Sequence, residues 1–407
     1  MRVRAQNAIA ECLRLAQFTE EPGRITRRFL SPPMHDVHKH LRERMTALGM
    51  SVTVDAAGNM RGLEQPEGAT EKRVIVASHV DTVPDAGAFD GVLGVCLGLE
   101  LIGIAKERNL KLNFEAIAFS EEEGVRFGVP FIGSRAVAGR FDQALLALKD
   151  SEGITLESAI RNYGLDPAQI PDAVLDPGTA AMLEIHIEQG PVLEAEGLSV
   201  AAVTGIVGQT RMSLRFAGHA NHAGTTPMNL RRDALAGAAE WISFVERLAR
   251  ESSGLIATVG KIEVEPNAGN VVPGAATVSL DLRHSHNKER EGALESLIAR
   301  ASEIAGRRSL TLETRRLMDQ PAVPMDERLT AFLVEAMEVL ELPQKRMPSG
   351  AGHDAMVMAA RLPTAMLFLR SPGGVSHHPD EAVREEDVEN ALRVGARFLE
   401  CMAADLK

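Results

Sequence analysis

The chain is poor in cysteine: Cys12, Cys96 and Cys401 are its only three, widely separated and never in a C-x-x-C spacing. An odd number so spread out builds neither a disulfide framework nor a thiolate zinc site, so these read as small core residues. Long apolar runs are missing as well. No stretch approaches the roughly 20 consecutive apolar residues that cross a bilayer. The opening "MRVRAQNAIAECLRLAQ" sets Glu11 and Arg14 inside its apolar pattern, unlike a signal-peptide core, and the expected address is the cytoplasm. Positive charge is in deficit: 44 Lys and Arg face 56 Asp and Glu, a net charge of −12. That balance argues against the concentrated basic surface that displaces counterions from nucleic-acid phosphates. There is no GxSxG elbow, no Walker A sequence, no GxGxxG after a strand and no HExxH helix.

What remains is a chain of 407 residues, 45% hydrophobic and 25% charged, the composition of an ordinary soluble protein of about two domains. "RVIVASHVDTV" (73–83) and "KLNFEAIAFS" (111–120) read as buried strands, with a buried helix, "GVLGVCLGLELIGIAK", between them. Such strand-helix-strand units build parallel sheets with helices on both faces. "AAMLEIHIEQG" (180–190) and "PTAMLFLRS" (363–371) read as further strands of this kind, and "REEDVENALRVGARFLECMAADL" as a closing amphipathic helix. The middle differs: 209–218, 255–267 and 276–286 alternate apolar with polar residues, as in a sheet with one wet face, and a helix over about 229–252 separates the first two. The expected architecture is therefore an α/β domain, 1–207 with 321–407, carrying an inserted α+β domain, 208–320.

The strand ends carry metal-type side chains. His79 and Asp81 close the first strand, Asp90 lies in the turn "AFDGVLG", Glu121, Glu122 and Glu123 follow the second, His186 ends the third, and His377 follows the last. Ligands of open α/β sheets bind beyond the carboxyl ends of the strands, and imidazole with carboxylate suits zinc or manganese. Three adjacent acids repel one another unless cations neutralise them. One Glu of the cluster is expected to bind metal and a neighbour to act as general base. A single strand histidine is more often structural than ligating; several at matching strand ends reverse that expectation. His35, His38 and His40 read as a solvated helix face, and His284 with His286 as surface residues.

With these residues in place, the chain resembles the M20 metallopeptidase-like amidohydrolases, in the branch of allantoate amidohydrolases and N-carbamoyl-L-amino-acid hydrolases. The likeness runs over nearly the whole chain, through "SHVDTV", "FDGVLG", "EEEGVRF", "HIEQGPVLE", "NHAGTTPMNLRRDA", "PNAGNVVPG", "SGAGHDA" and "SHHPDE".

The resemblance implies a zinc-exopeptidase-like catalytic domain with an inserted dimerisation domain, and two divalent ions, zinc or manganese. Asp90 would bridge them, His79 and His186 completing one site and Glu123 and His377 the other. Of the two histidines in "SHHPDE", the Ser-His-x-Pro-x-Glu pattern selects His377. Glu122 would be the base, and Asp81 would orient His79. His222, in "NHAGTTP", would reach the partner's site in a homodimer and polarise the scissile carbonyl. Gln189, Asn270, Arg283 and the amides around Gly350 would hold the substrate's carboxylate. The implied reaction cleaves the ureido bond of a small carboxylate, allantoate or an N-carbamoyl-L-amino acid. A dipeptidase or aminoacylase and a catalytically silent metal-binding dimer are the rivals from other classes.

Overall fold

The computed structural model describes residues 1–406. They form two compact units, Met1–Thr204 together with the chain from Pro324 onward, and Gly205–Val323. Among the described residues no helix is long and apolar enough to cross a membrane.

The larger unit is built on a mixed sheet whose central strands are parallel. In spatial order it runs Ser51–Val54, Met60–Glu64, Asn113–Phe119, Arg73–His79, Thr179–Ile187, Thr364–Leu369 and Val200–Ile206. The pairs among Asn113–Phe119, Arg73–His79, Thr179–Ile187 and Thr364–Leu369 are parallel, and the flanking pairs antiparallel. The central strands are covered on both faces, which is why each is an almost unbroken apolar run. The helix Val92–Glu107 packs on this sheet and is apolar around nearly its whole circumference. Gly94 lets it lie close: a Cβ there would sit 2.0 Å from the carbonyl oxygen of Ile185. Cys12 and Cys96 are buried in this core, while Cys401 is half-buried.

The C-terminal helix Glu385–Asp405 begins with three acids, as its dipole favours. A buried clasp ties it to the sheet. Arg370, just beyond the Thr364–Leu369 strand, donates Nε to Asp387 Oδ2 at 2.8 Å and Nη2 to Oδ1 at 2.6 Å. Removing one partner of such a pair strands the other charge in the interior. Asp387→Ala should therefore lower stability by about 3–5 kcal/mol, read from the urea midpoint; a loss under about 1 kcal/mol would place the pair among weak surface bridges instead.

The smaller unit is an antiparallel sheet in the order Ile262–Glu265, Ala275–His284, Gly208–Ala217, Thr311–Gln320. Helices Ala234–Glu251 and Asn287–Arg307 cover one face, where Phe216, Leu280 and Leu297 surround Trp241, whose Nε1 donates to the Leu297 carbonyl at 2.9 Å. The run 255–267, expected as one strand, is two. Ile256–Thr258 and Ile262–Glu265 pair with the same neighbour, and the three residues between them, centred on Gly260, span only Ser279 and Leu280 across the ladder. That extra residue is a bulge. The helix expected from about 229 starts at Ala234, because Asp233 caps it by accepting from Ala236 N. The expected solvated face at 35–40 is also revised. His38 is buried, with Nδ1 at 2.9 Å from the Tyr163 hydroxyl, and His40 contacts Glu11.

Candidate active site

Parallel strands present their carboxyl ends on one side of the sheet, and the loops there bring the larger unit's polar side chains together. Asp90 is the centre. Its Oδ1 lies 3.5 Å from His79 Nε2 and 3.1 Å from His186 Nε2, while its Oδ2 lies 3.2 Å from His377 Nε2. His377 Nε2 is in turn 3.4 Å from Glu123 Oε1. One carboxylate thus serves two groups of donors, His79 with His186 and Glu123 with His377. His378 faces Asp380 instead, at 3.6 Å.

The main chain sets the histidine tautomers. His79 Nδ1 is 3.1 Å from the Asp81 carbonyl and His186 Nδ1 is 2.9 Å from the Ile187 carbonyl. A carbonyl only accepts, so each ring carries its proton on Nδ1 and turns the Nε2 lone pair inward. The two Nε2 atoms lie 3.3 Å apart. Two facing lone pairs repel unless a proton or a cation sits between them, and Asp90 Oδ1 beside them is buried without a hydrogen-bond donor. These imidazoles and carboxylates fit a divalent metal ion.

Without an ion, protons and mutual charge hold the cluster together. Burial pushes the Glu122 carboxyl well above its usual range, and the negative charges of Glu123, Asp354 and Asp81 add to this. Burial, then Asp90, pushes Glu123 up to about 7. The hydrogen bond with Asp90 raises His377 to about 9. Burial opposes charge on His79, but Glu122 and Asp90 outweigh it and raise this imidazole well above its usual value. Burial also opposes charge on Asp90, and the neighbouring imidazoles of His186, His377 and His79 overcome it, holding the carboxyl well below its usual range.

The three consecutive acids do three different things. Glu121, at φ 50°, turns away from the cluster and accepts the Arg126 and Phe127 amides at 2.9 and 3.2 Å. Glu122 lines a cavity of about 180 Å³ together with His79, His186 and Glu123. Glu123 faces His377. Glu121, Phe131, Gln189 and His377 all hold left-handed φ, between 50° and 67°. Such conformations cost energy in residues with side chains and gather at functional sites. Gly91 makes the Asp90 turn possible, since a Cβ there would come within 2.4 Å of the His79 ring.

Asp81 meets His79 differently from the expectation. Its main-chain oxygen, not its carboxylate, contacts the ring; the carboxylate is 3.8 Å away and accepts the Glu122 and Glu123 amides, each at 3.1 Å. Gln189 donates Nε2 to Asp90 Oδ2 at 2.8 Å, so it belongs to this cluster. Gly350 is an exposed residue just after the strand Arg346–Ser349. In the smaller unit, His222 lies in a two-stranded ribbon and Asn270 immediately precedes its second strand, Val271–Val272. Val271 pairs with His222, and the Asn270 carbonyl accepts from Ala223 N at 2.9 Å. His222 Nδ1 accepts the amides of Gly224 and Thr225, which leaves the ring proton on Nε2. Arg283, in the strand Ala275–His284, pairs with Asp281 through Nε and Nη2.

Other residues with site contacts escaped the sequence reading, among them Ser376, whose hydroxyl donates to Asp90 Oδ2 at 2.9 Å. Glu381 accepts the Phe89 and Asp90 amides at 2.9 Å each and so fixes the Asp90 turn; its only sequence signal is its place in "SHHPDE". His353, in "SGAGHDA", lies edge-on against His186 with ring centroids 4.5 Å apart. His284, read as a surface residue, is buried. His284, His286 and Glu289 lie close enough to suggest a second metal group. His284 is already committed, however: Nδ1 accepts His286 N at 2.9 Å, and Nε2 donates to the Ser253 carbonyl at 3.1 Å.

Comparison with known proteins identifies the family. The pattern described as peptidase family M20/M25/M40 matches residues 75–401. An N-carbamoyl-L-amino acid amidohydrolase of Geobacillus stearothermophilus is 40% identical over 358 residues, covering 87% of each chain. An allantoate deiminase of Arabidopsis thaliana is 35% identical over 427 residues, covering 97% of this chain and 81% of its own. Among solved structures, an amidase of the hydantoinase/carbamoylase family from Burkholderia multivorans superposes with a TM-score of 0.92 at 30% identity, covering 98% of both chains.

Proposed function

The chain belongs to peptidase family M20/M25/M40 and is a hydrolase of non-peptide carbon–nitrogen bonds, and from that premise we propose that it cleaves the ureido bond of a small carboxylate, allantoate foremost. The observation that carries this reading is the division of Asp90 between two donor groups, with Glu122 beside them, close to His79 and Glu123. Divalent ions, zinc or manganese, would be held by His79, Asp90 and His186 and by Asp90, Glu123 and His377. Once bound, they acidify the attacking water and polarise the ureido carbonyl.

The chain's own residues do the rest. Glu122 takes a proton from the water and hands it to the leaving nitrogen. Attack on the ureido carbon breaks its bond to the substituted nitrogen, which departs as an amine, and the carbamic acid that remains falls apart to ammonia and carbon dioxide. In a homodimer, His222 of one copy donates Nε2–H to the developing oxyanion in the other copy's site. Asn270, Arg283 and the amides around Gly350 hold the carboxylate, Arg283 with its planar fork. Gln189, expected in the same clamp, is bonded to Asp90 at the ureido end.

N-carbamoyl-L-amino acids are the second reading, favoured by the 40% identical relative of that name. The deciding assay loads the protein with manganese and follows ammonia release from allantoate, ureidoglycolate and a set of N-carbamoyl-L-amino acids, with Gly-Leu cleavage alongside. Ammonia should appear from a ureido substrate, fastest from allantoate, while the dipeptide stays intact. Cleavage of Gly-Leu with no ureido substrate consumed would overturn the proposal.

A further inference from the structure

Glu122 and Glu123 raise a question of direction. Consecutive side chains of an extended chain point to opposite faces, yet one carboxylate oxygen of each lies within 4.8 Å of the other and of His79. The strand before them, Asn113–Phe119, ends at Phe119, so the chain changes direction at Ser120 and Glu121. Glu121 holds the left-handed φ of 50° that turns it. That conformation is disfavoured in residues with a Cβ, so the turn needs something to hold it.

The side chain of Glu121 does so. It is 0% exposed, and its Oε1 accepts both the Arg126 and the Phe127 amide, at 2.9 and 3.2 Å. The carboxylate thereby closes a ring of chain that includes Glu122 and Glu123. The far side of the ring is pinned as well. Arg126 donates Nη1 to the Phe29 carbonyl at 2.7 Å and Nε to Asp150 Oδ2 at 3.1 Å, and Phe127 is buried edge-on against Phe29. From outside the ring, Asp81 takes the Glu122 and Glu123 amides, one on each oxygen. Four amides of the loop thus end on two buried carboxylates.

Resting on the functional reading above, we infer that Glu121 is a positioning residue: by accepting the Arg126 and Phe127 amides it holds the turn that aims Glu122 and Glu123 at one site. Its carboxylate acts through the loop's own main chain. The acceptor at Oε1, not the charge, is what the loop needs. Oε2 makes no hydrogen bond, so in Glu121→Gln the amide oxygen can take the place of Oε1 and the –NH2 that of Oε2.

Glu121→Met and Glu121→Gln fill nearly the same space and differ in the acceptor. Both are loaded with manganese, and two quantities are read. One is kcat with KM for ammonia release from the ureido compound that the wild type consumes; the other is manganese affinity under competition from a chelator, which needs no turnover. In Glu121→Met, kcat should fall about tenfold to a hundredfold and manganese affinity about tenfold, while KM stays within about threefold. Glu121→Gln should recover most of both. A carboxylate that only stabilised the fold would shift the melting temperature and leave both readings in place. Where Glu121→Met does not fold, Glu121→Asp replaces it: one methylene shorter, it keeps the charge and loses reach to the amides, so both readings should fall below those of Glu121→Gln. Wild-type kcat and manganese affinity in the folded variant overturn the inference, and so does a loss in Glu121→Gln as deep as in Glu121→Met. No ureido turnover by the wild type overturns the functional reading, and the manganese titration then judges Glu121 by itself.

Discussion

Glu122→Gln is expected to lower kcat by at least about a thousandfold while the bound metal stays unchanged. The substitution keeps the size of the side chain and removes its capacity to take a proton. Glu122 is the member of the acidic run that neither turns into the backbone, as Glu121 does, nor faces His377, as Glu123 does. It is nearly buried, and its carboxyl is pushed up first by burial and then by neighbouring negative charge. A base so placed takes a proton from water more readily than an ordinary carboxylate does. Metal content by plasma mass spectrometry and turnover on the same sample form the measurement. If metal is lost along with activity, the roles of Glu122 and Glu123 have been exchanged.

Asp90→Asn should have the broader effect, weakening metal binding by at least about a hundredfold and abolishing turnover. Each Asp90 oxygen faces a different donor group. The amide removes the negative charge that His79, His186 and His377 share and replaces one oxygen with a donor. Titration with manganese or zinc under competition from a chelator reads the loss directly. Retention of wild-type affinity would break the link between the two donor groups on which the proposed chemistry stands.

Much of this was legible in the sequence, for a physical reason. Strands buried on both faces have no polar side, so 73–79, 113–119, 179–187 and 364–369 stand out as apolar runs, and any charge at their ends needs an explanation. The edges were harder to read. Ser51–Val54 and Met60–Glu64 are short, and Thr311–Gln320 is a mostly exposed strand with four charged residues, without the alternation that marks a half-buried one. Spacing also left open which glutamate binds metal. It could not show that Asp81 reaches His79 through its carbonyl, because that depends on where the backbone of a neighbouring loop passes. His353 was hidden for a similar reason: "SGAGHDA" reads as a glycine-rich loop, and only the fold sets its ring against His186.

Glu381 fastens the amide of Asp90 across 291 residues of sequence. Synthesis on the ribosome proceeds from the N-terminus, so the bridging carboxylate emerges long before the residue that fixes its loop. The nascent chain thus carries an unfinished pocket until the segment with Glu381 has followed.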